Sequence, residues 1–295
     1  MPAAPIAEQI RTRLGECSPA ERKVGRVLLA NWPASGFETV ATLAERAVVS
    51  APTVLRFVGR LGYRGFPDFQ AALRTELEER NASPLSLYTA GAAVDPGESD
   101  GASGGVGGAG LLARASTVFT QAVGRTLTEM PPHDVERAIQ LLADRKRRIT
   151  LVGGRFTGLL AHYLGLHLMQ LRDDVRLLPD RDVERAAVLG AFGRRDVLVV
   201  FDYRRYEPDK VTMAELVQEQ GGRVVLFTDT WLSPVAAHAE VVLPSQVGAP
   251  SPYDSLVPTL AVTETVIAGI LETLGEDGHR HMQRGEDIAK RAGFY

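Results

Sequence analysis

The sequence predicts two domains of different class: an all-α bundle of short helices over residues 1–80, and a three-layer α/β domain with a five-stranded parallel sheet over residues 114–295. Three observations predict this. Apolar residues recur at helical spacing up to about residue 80, a glycine-rich stretch then interrupts the pattern, and beyond it five short, nearly continuous apolar runs alternate with helical segments. At 295 residues the chain is long enough for two separate cores.

The elements follow in order. Ser18-Pro19-Ala20-Glu21 reads as a capping box with proline at the first helical position, opening a helix over 18–32. Val40, Leu43, Ala44 and Ala47 fall at i, i+3, i+4 and i+7, one apolar stripe of a short helix. Val54, Phe57, Val58 and Leu61 repeat that spacing in a second, with Ser50 as its N-cap and Pro52 in its first turn. A further helix over 67–80 carries Phe69, Leu73 and Leu77. The middle pair is a helix-turn-helix, and Val48 stands where its turn usually has glycine. A β-branched residue suits positive φ poorly, which predicts a turn of altered shape.

Burying the stripe of the second helix leaves Thr53, Arg56 and Arg60 side by side, facing outward. A hydroxyl and two arginines on one helical face suit the DNA major groove, where arginine forms two hydrogen bonds with guanine. Residues 40 to 66 hold four arginines against one glutamate, an excess that phosphates attract. The candidate DNA-binding residues are therefore Ser50, Thr53, Arg56, Arg60 and Arg64, with Arg56 and Thr53 toward the bases and Arg60 and Arg64 toward phosphates. The plainer alternative is a helical hairpin with a solvated face.

Residues 81–113 change character. The stretch GAAVDPGESDGASGGVGGAG buries too little apolar surface to offset its ordering entropy and reads as a flexible tether. Helices over 116–130 and 134–144 then lead into apolar runs at 149–152, 175–178, 197–201, 224–227 and 241–243, separated by helical segments at 158–171, 184–192, 211–220 and 258–274. Such runs between helices indicate a parallel sheet covered on both faces, whose ligands bind beyond the carboxyl ends of the strands. Two strand-end loops stand out. The first, Gly153-Gly154-Arg155-Phe156-Thr157, combines close backbone approach with a helix N-terminus. The other, Asp202-Tyr203-Arg204-Arg205-Tyr206-Glu207, concentrates charge and aromatic surface. It is read either as a site for an anionic small molecule or as a solvated loop with internal ion pairs.

Composition is ordinary for a globular protein, at 45% hydrophobic and 23% charged, with a formal charge of −3. That charge is uneven: up to Arg80 there are eleven Lys/Arg against nine Asp/Glu, while the remainder is acidic. A weakly basic module beside an acidic one fits one nucleic-acid-facing part. Cys17 is the only cysteine, which excludes an internal disulfide and any cysteine-based zinc site. The N-terminus lacks the pattern of a signal peptide and no run approaches 18 apolar residues, so a cytoplasmic protein with no membrane contact is expected. No cofactor is expected.

The residues also carry a family resemblance. Ser18-Pro19-Ala20-Glu21-Arg22-Lys23-Val24, Ala41-Thr42-Leu43-Ala44-Glu45, Val49-Ser50, Thr53-Val54, Arg56-Phe57 and Leu61-Gly62-Tyr63-Arg64-Gly65-Phe66 closely resemble the N-terminal domain of RpiR (MurR/RpiR) transcriptional regulators. Residues 134–274 resemble the SIS (sugar isomerase) domain that such regulators carry, a flavodoxin-like α/β unit that typically binds phosphorylated sugars. The resemblance places Gly153 and Thr157 where the family has a glycine and a phosphate-binding serine, with Arg155 replacing a second glycine. Where the family shows a Ser-x-Ser-Gly-x-Thr run, this chain has Asp202, Arg204, Arg205 and Glu207.

With hydroxyls exchanged for full charges, the expected ligand is a small anionic metabolite, a phosphorylated sugar or an organic acid, held by Gly153, Arg155, Thr157, Asp202, Arg204, Arg205 and Glu207. The competing expectation is that Asp202 and Glu207 neutralise the arginines and close the pocket. The resulting reading is a metabolite-responsive DNA-binding regulator, a homodimer or higher oligomer on an inverted-repeat operator. The alternative is a phosphosugar isomerase, whose general base would be Glu207, His162, His167 or Glu264.

Overall fold

A computed structural model describes residues 5–94 and 107–294. The chain falls into two compact units, Met1–Ser83 and Pro84–Tyr295.

The described part of the first unit is helical: α1 (Ile6–Arg13), α2 (Pro19–Ala30), α3 (Val40–Ala47), α4 (Ala51–Arg60) and α5 (Phe66–Asn81). Ile10, Val24, Leu28, Leu43, Val54, Phe57, Phe69 and Leu73 meet in its core. The capping box forms as expected, Ser18 N–H donating to the Glu21 carboxylate (2.8 Å) and Glu21 N–H to Ser18 Oγ (3.3 Å). Helix α1 adds to the helices that apolar spacing predicts; it buries Ile6 and Ile10, and its first N–H donates to Glu76 of α5 at 2.7 Å. Gly25 lets α2 lie close to α4, since a Cβ there would stand 3.1 Å from Phe57 Cζ.

The α3–α4 turn corrects one expectation. Rather than avoiding positive φ, Val48 adopts φ 52° and ψ 55°, the left-handed region that usually takes glycine. Its N–H bonds Glu45 O (3.0 Å) and the next N–H bonds Ala44 O (2.9 Å), closing α3. The packing of both helices on one core overrides the preference of the valine, whose side chain is 79% exposed.

The second unit contains α6 (Pro84–Val94), α7 (Gly108–Glu129), α8 (Pro132–Ala143), β1 (Arg148–Gly153), α9 (Gly158–Leu171), β2 (Val175–Leu177), α10 (Asp182–Gly190), β3 (Asp196–Phe201), α11 (Pro208–Glu219), β4 (Arg223–Asp229), β5 (Val241–Ser245) and α12 (Val257–Ala292). The span expected as a flexible tether is helical at both ends, in α6 and the start of α7; residues 95–106 of it lie outside the described residues. The five strands are all parallel in the order β2-β1-β3-β4-β5. Alternate strand residues feed two cores. Ile149, Leu151, Val197, Val199, Phe201, Val225 and Phe227 pack with α9 and α12. Val152, Leu198, Val200, Val224 and Leu226 pack with Met213, Ala214 and Val217 of α11. This is the three-layer arrangement that the continuous apolar runs imply.

By length and composition α12 is apolar enough to cross a membrane, but Val262, Val266 and Ile270 of that helix serve the core and Gly275 breaks its geometry at φ 48°. The order of strands reverses between β1 and β3, the position where doubly wound sheets open a crevice. Gly153 and Phe201 pair across it, so both singled-out loops leave the sheet there.

Candidate functional site

In the first unit α4 presents Ala51, Pro52, Leu55, Arg56, Gly59 and Arg60 to solvent and buries Thr53, Val54, Phe57 and Val58. Thr53, expected to face outward, is therefore buried. It lies four residues before Phe57, so it sits at the edge of the apolar stripe rather than opposite it. Its Oγ1 meets Ser50 Oγ at 3.0 Å and accepts from Arg56 Nη2 at 3.1 Å, which makes it a residue that positions Arg56. Ser50 is exposed at the N-cap position, but its hydroxyl goes to Thr53 instead of a backbone N–H.

Arg60 approaches Glu21 (3.5 Å), whose carboxyl is held below the usual range by its hydrogen bonds with Ser18 and then by Arg60. Arg64, 91% exposed, pairs with Asp68 at 3.2 Å. Sequence reasoning missed Leu55, 46% exposed beside Arg56 and suited to contact with a thymine methyl group. An exposed leucine outside the stripe was the available signal.

In the second unit Gly153 permits the tight β1–α9 turn, since a Cβ there would lie 2.5 Å from Gly158 N. Thr157 is buried and committed: its hydroxyl donates to Phe201 O and accepts from Gly154 N–H, both at 2.8 Å, so it stitches the loop to β3 rather than facing a ligand. Arg155 is exposed, and its N–H reaches Glu207 Oε1 at 3.4 Å. Asp202 is buried, accepting from Ser233 Oγ and from Glu207 N–H (3.3 Å); burial pushes its carboxyl up to about 6.

The expected neutralisation of the arginines occurs with a different partner. Arg204 Nε donates to Asp254 Oδ2 at 2.8 Å, its Nη2 pairs with Oδ1, and Arg205 Nη2 reaches Oδ2 at 3.1 Å. Glu207 instead takes Lys210 Nζ at 2.8 Å, from a lysine that is 2% exposed and also bound to Asp209. The structure thus brings Arg204 and Arg205 together on one carboxylate and ties Asp202 and Glu207 elsewhere. Asp254 lies in an ordinary Ser/Pro/Tyr turn sequence, where nothing marks an acid as special. Trp231 was also missed; the Arg204 guanidinium stacks over its ring, 5.5 Å from the centroid. A separate cavity of ≈ 400 Å³ is lined by Arg145, Asp277, Arg280, Gln283, Arg284 and Asp287, away from these loop residues in sequence. Of the isomerase candidates, Glu264 accepts from Tyr163 OH (3.0 Å) and His167 stacks edge-on to Tyr163, on the helices; His162 is exposed.

Comparison with known proteins gives matches to both units. Residues 4–80 match the model of the helix-turn-helix domain of the rpiR family, and residues 141–269 match that of the SIS domain. The HTH-type transcriptional regulator HexR of Pseudomonas aeruginosa is 26% identical over 287 residues, covering 95% of this chain and 93% of its own. The sugar isomerase domain of an RpiR transcription factor from Sphaerobacter thermophilus superposes with a TM-score of 0.56 at 22% identity, over 60% of this chain and 98% of that one. The NanR protein of Vibrio vulnificus, complexed with ManNAc-6P, superposes with a TM-score of 0.53 at 16% identity, over 97% and 98%.

A helix-turn-helix unit followed by a five-stranded parallel SIS domain is the build of a DNA-binding transcriptional regulator. The two family models together span well over half of the chain, and full-length relatives share both parts. The chain belongs to the RpiR family of transcriptional regulators.

Proposed function

We propose that residues 1–80 read an inverted-repeat operator through α4, that residues 114–295 sense a small anionic metabolite and hold a homodimer together, and that the protein carries out no catalysis. The observation that carries the DNA reading is the outward face of α4. There Arg56 stands exposed beside Leu55, braced by Thr53, while Arg60 and Arg64 flank it with charges shared with Glu21 and Asp68. Bracing fixes the guanidinium for bidentate contact with a base, whereas the flanking arginines suit phosphates.

The ligand reading is supported by Arg204 and Arg205 converging on one carboxylate beside the crevice of the sheet, a geometry that recognises carboxylate or phosphate. The complex of NanR with ManNAc-6P adds phosphorylated sugars to the compounds worth screening. Against an isomerase stands the state of its candidate bases: Glu207 is paired with Lys210 and Glu264 with Tyr163.

The test is operator binding by the parent and two variants at matched salt. Arg56→Ala is expected to cost about 1–3 kcal/mol and relax sequence preference, while Arg64→Ala weakens all sequences alike. Equal affinity of the Arg56 variant and the parent would sink the assignment. A thermal-shift screen of sugar phosphates and organic acids, with an assay of phosphosugar isomerisation, tests the sensing half. Turnover of any phosphosugar would refute the non-catalytic reading.

A further inference from the structure

We infer that the Asp254 carboxylate is a built-in occupant of the anion site, and that an incoming ligand displaces it from Arg204 and Arg205; this rests on the reading of the strand-end loops as the ligand site. Arg204 grips Asp254 with two prongs, through Nε and Nη2, and Arg205 adds a third contact. The pair is largely out of water, with the Arg204 side chain 8% and that of Asp254 12% exposed. A carboxylate so held has the shape and charge of the group a guanidinium pair is built to recognise.

The two halves of this contact are anchored differently. On the cationic side, the Arg204 N–H donates to Asp229 at the end of β4, and Asp229 also accepts from Tyr206 OH (2.6 Å) and Trp231 N–H (3.0 Å). Stacking on Trp231 holds the guanidinium plane. Asp254 instead rides on the loop between β5 and α12, whose Ser251 and Tyr253 are exposed. Ties of that loop include the backbone bond from Ser255 N–H to Val247 O (2.9 Å) and a long contact from Tyr253 N–H to the Ser251 side-chain Oγ (3.4 Å). When an anion competes, the carboxylate leaves and the arginines stay.

Opening the pair without replacement would strand a buried guanidinium, which is strongly unfavourable, so exchange of one anion for another is the favoured route. Because the loop runs straight into α12, the exchange is felt at that helix. Its second residue past the entrance, Thr259, is locked with Tyr203 (2.7 Å) and Ser245 (2.7 Å) in a buried hydroxyl triangle. Ligand occupancy is thus converted into movement of the segment that enters α12.

The experiment is calorimetric titration of the full chain, as parent, Asp254→Asn and Arg204→Ala/Arg205→Ala, with glucose 6-phosphate, gluconate and inorganic phosphate as probes. Removing the internal competitor is expected to tighten binding of at least one probe tenfold or more, and the double arginine variant to abolish it. A parent that binds a probe with the same affinity as Asp254→Asn, or tighter, overturns the displacement and leaves the ligand site standing. Absence of binding to parent and Asp254→Asn alike, or undiminished binding by the double variant, overturns both. Should Asp254→Asn fail to fold, hydrogen exchange of the parent decides. The Ser255 amide is expected to exchange several-fold faster with a bound probe; slower or unchanged exchange overturns the displacement.

Discussion

Asp202 carries its charge against its surroundings. Desolvation lifts its carboxyl from the ordinary value of 3.8 to about 6, more than the hydrogen bonds from Ser233 and the Glu207 amide lower it. The folded chain therefore binds this proton more tightly than the unfolded one, so the group weakens the fold at neutral pH and the loss is relieved as pH falls through about 6. Relative to Asp202→Asn, the parent should gain about 1 kcal/mol between pH 7 and pH 5. Urea midpoints of both proteins at the two pH values measure this, and a constant difference between them would contradict it. Arg172 shows the opposite economy of burial. At 2% exposure it donates to the carbonyl oxygens of Leu142 (2.7 Å), Asp144 (2.8 Å), Asp173 (3.0 Å) and Arg147, closing the end of α8. Arg172→Leu leaves several of those carbonyls unpaired and should cost about 2–4 kcal/mol in chemical denaturation.

At the scale of elements, the turn between α3 and α4 stores strain in a place that can be tested. Val48 occupies left-handed space with its side chain almost wholly in solvent, so it loses conformational energy without gaining burial. Val48→Gly should raise stability by about 1 kcal/mol, read as an upward shift of the thermal midpoint, with operator affinity unchanged. An unchanged or lower midpoint would mean that the turn is not strained. The elements themselves were legible wherever burial sets a period: the α3 and α4 stripes and all five strands fall within a few residues of where apolar spacing puts them. Helix α1, with Ile6 and Ile10 as its two isoleucines, was too short to show a period, and α6 begins inside a stretch whose composition suggests no structure. The candidate site was legible to a lesser degree. Charge density pointed to Arg204 and Arg205, but their partner Asp254 is about 50 residues away in sequence, and no local pattern encodes a long-range pair. Thr53 and Thr157 misled for one reason: a threonine is equally suited to facing a ligand and to tying down a loop, and only tertiary contacts decide between the two.

For the whole molecule, one helix-turn-helix offers too little surface for tight specific binding, which makes pairing of chains part of the proposed function. Light scattering at micromolar concentration should give at least a dimer, and footprinting should protect two half-sites about one helical turn apart. A monomer with and without DNA would contradict this. The order of strands has a further consequence, for the route by which the chain acquires its shape. Strand β1 pairs with β3 as well as with β2, joining Arg148 to Asp196 and Gly153 to Phe201 across about 50 residues of intervening chain. The helical unit packs mainly through helices near one another in sequence, such as α2 with α3 and α3 with α4, although the Ile6 N–H also ties α1 to Glu76 of α5. As the chain leaves the ribosome, the helical unit emerges first and completes its core while the central strands of the second unit still await their partners, so newly made protein passes through a stage in which the α4 surface is formed but the unit proposed to pair the chains and bind a metabolite is not.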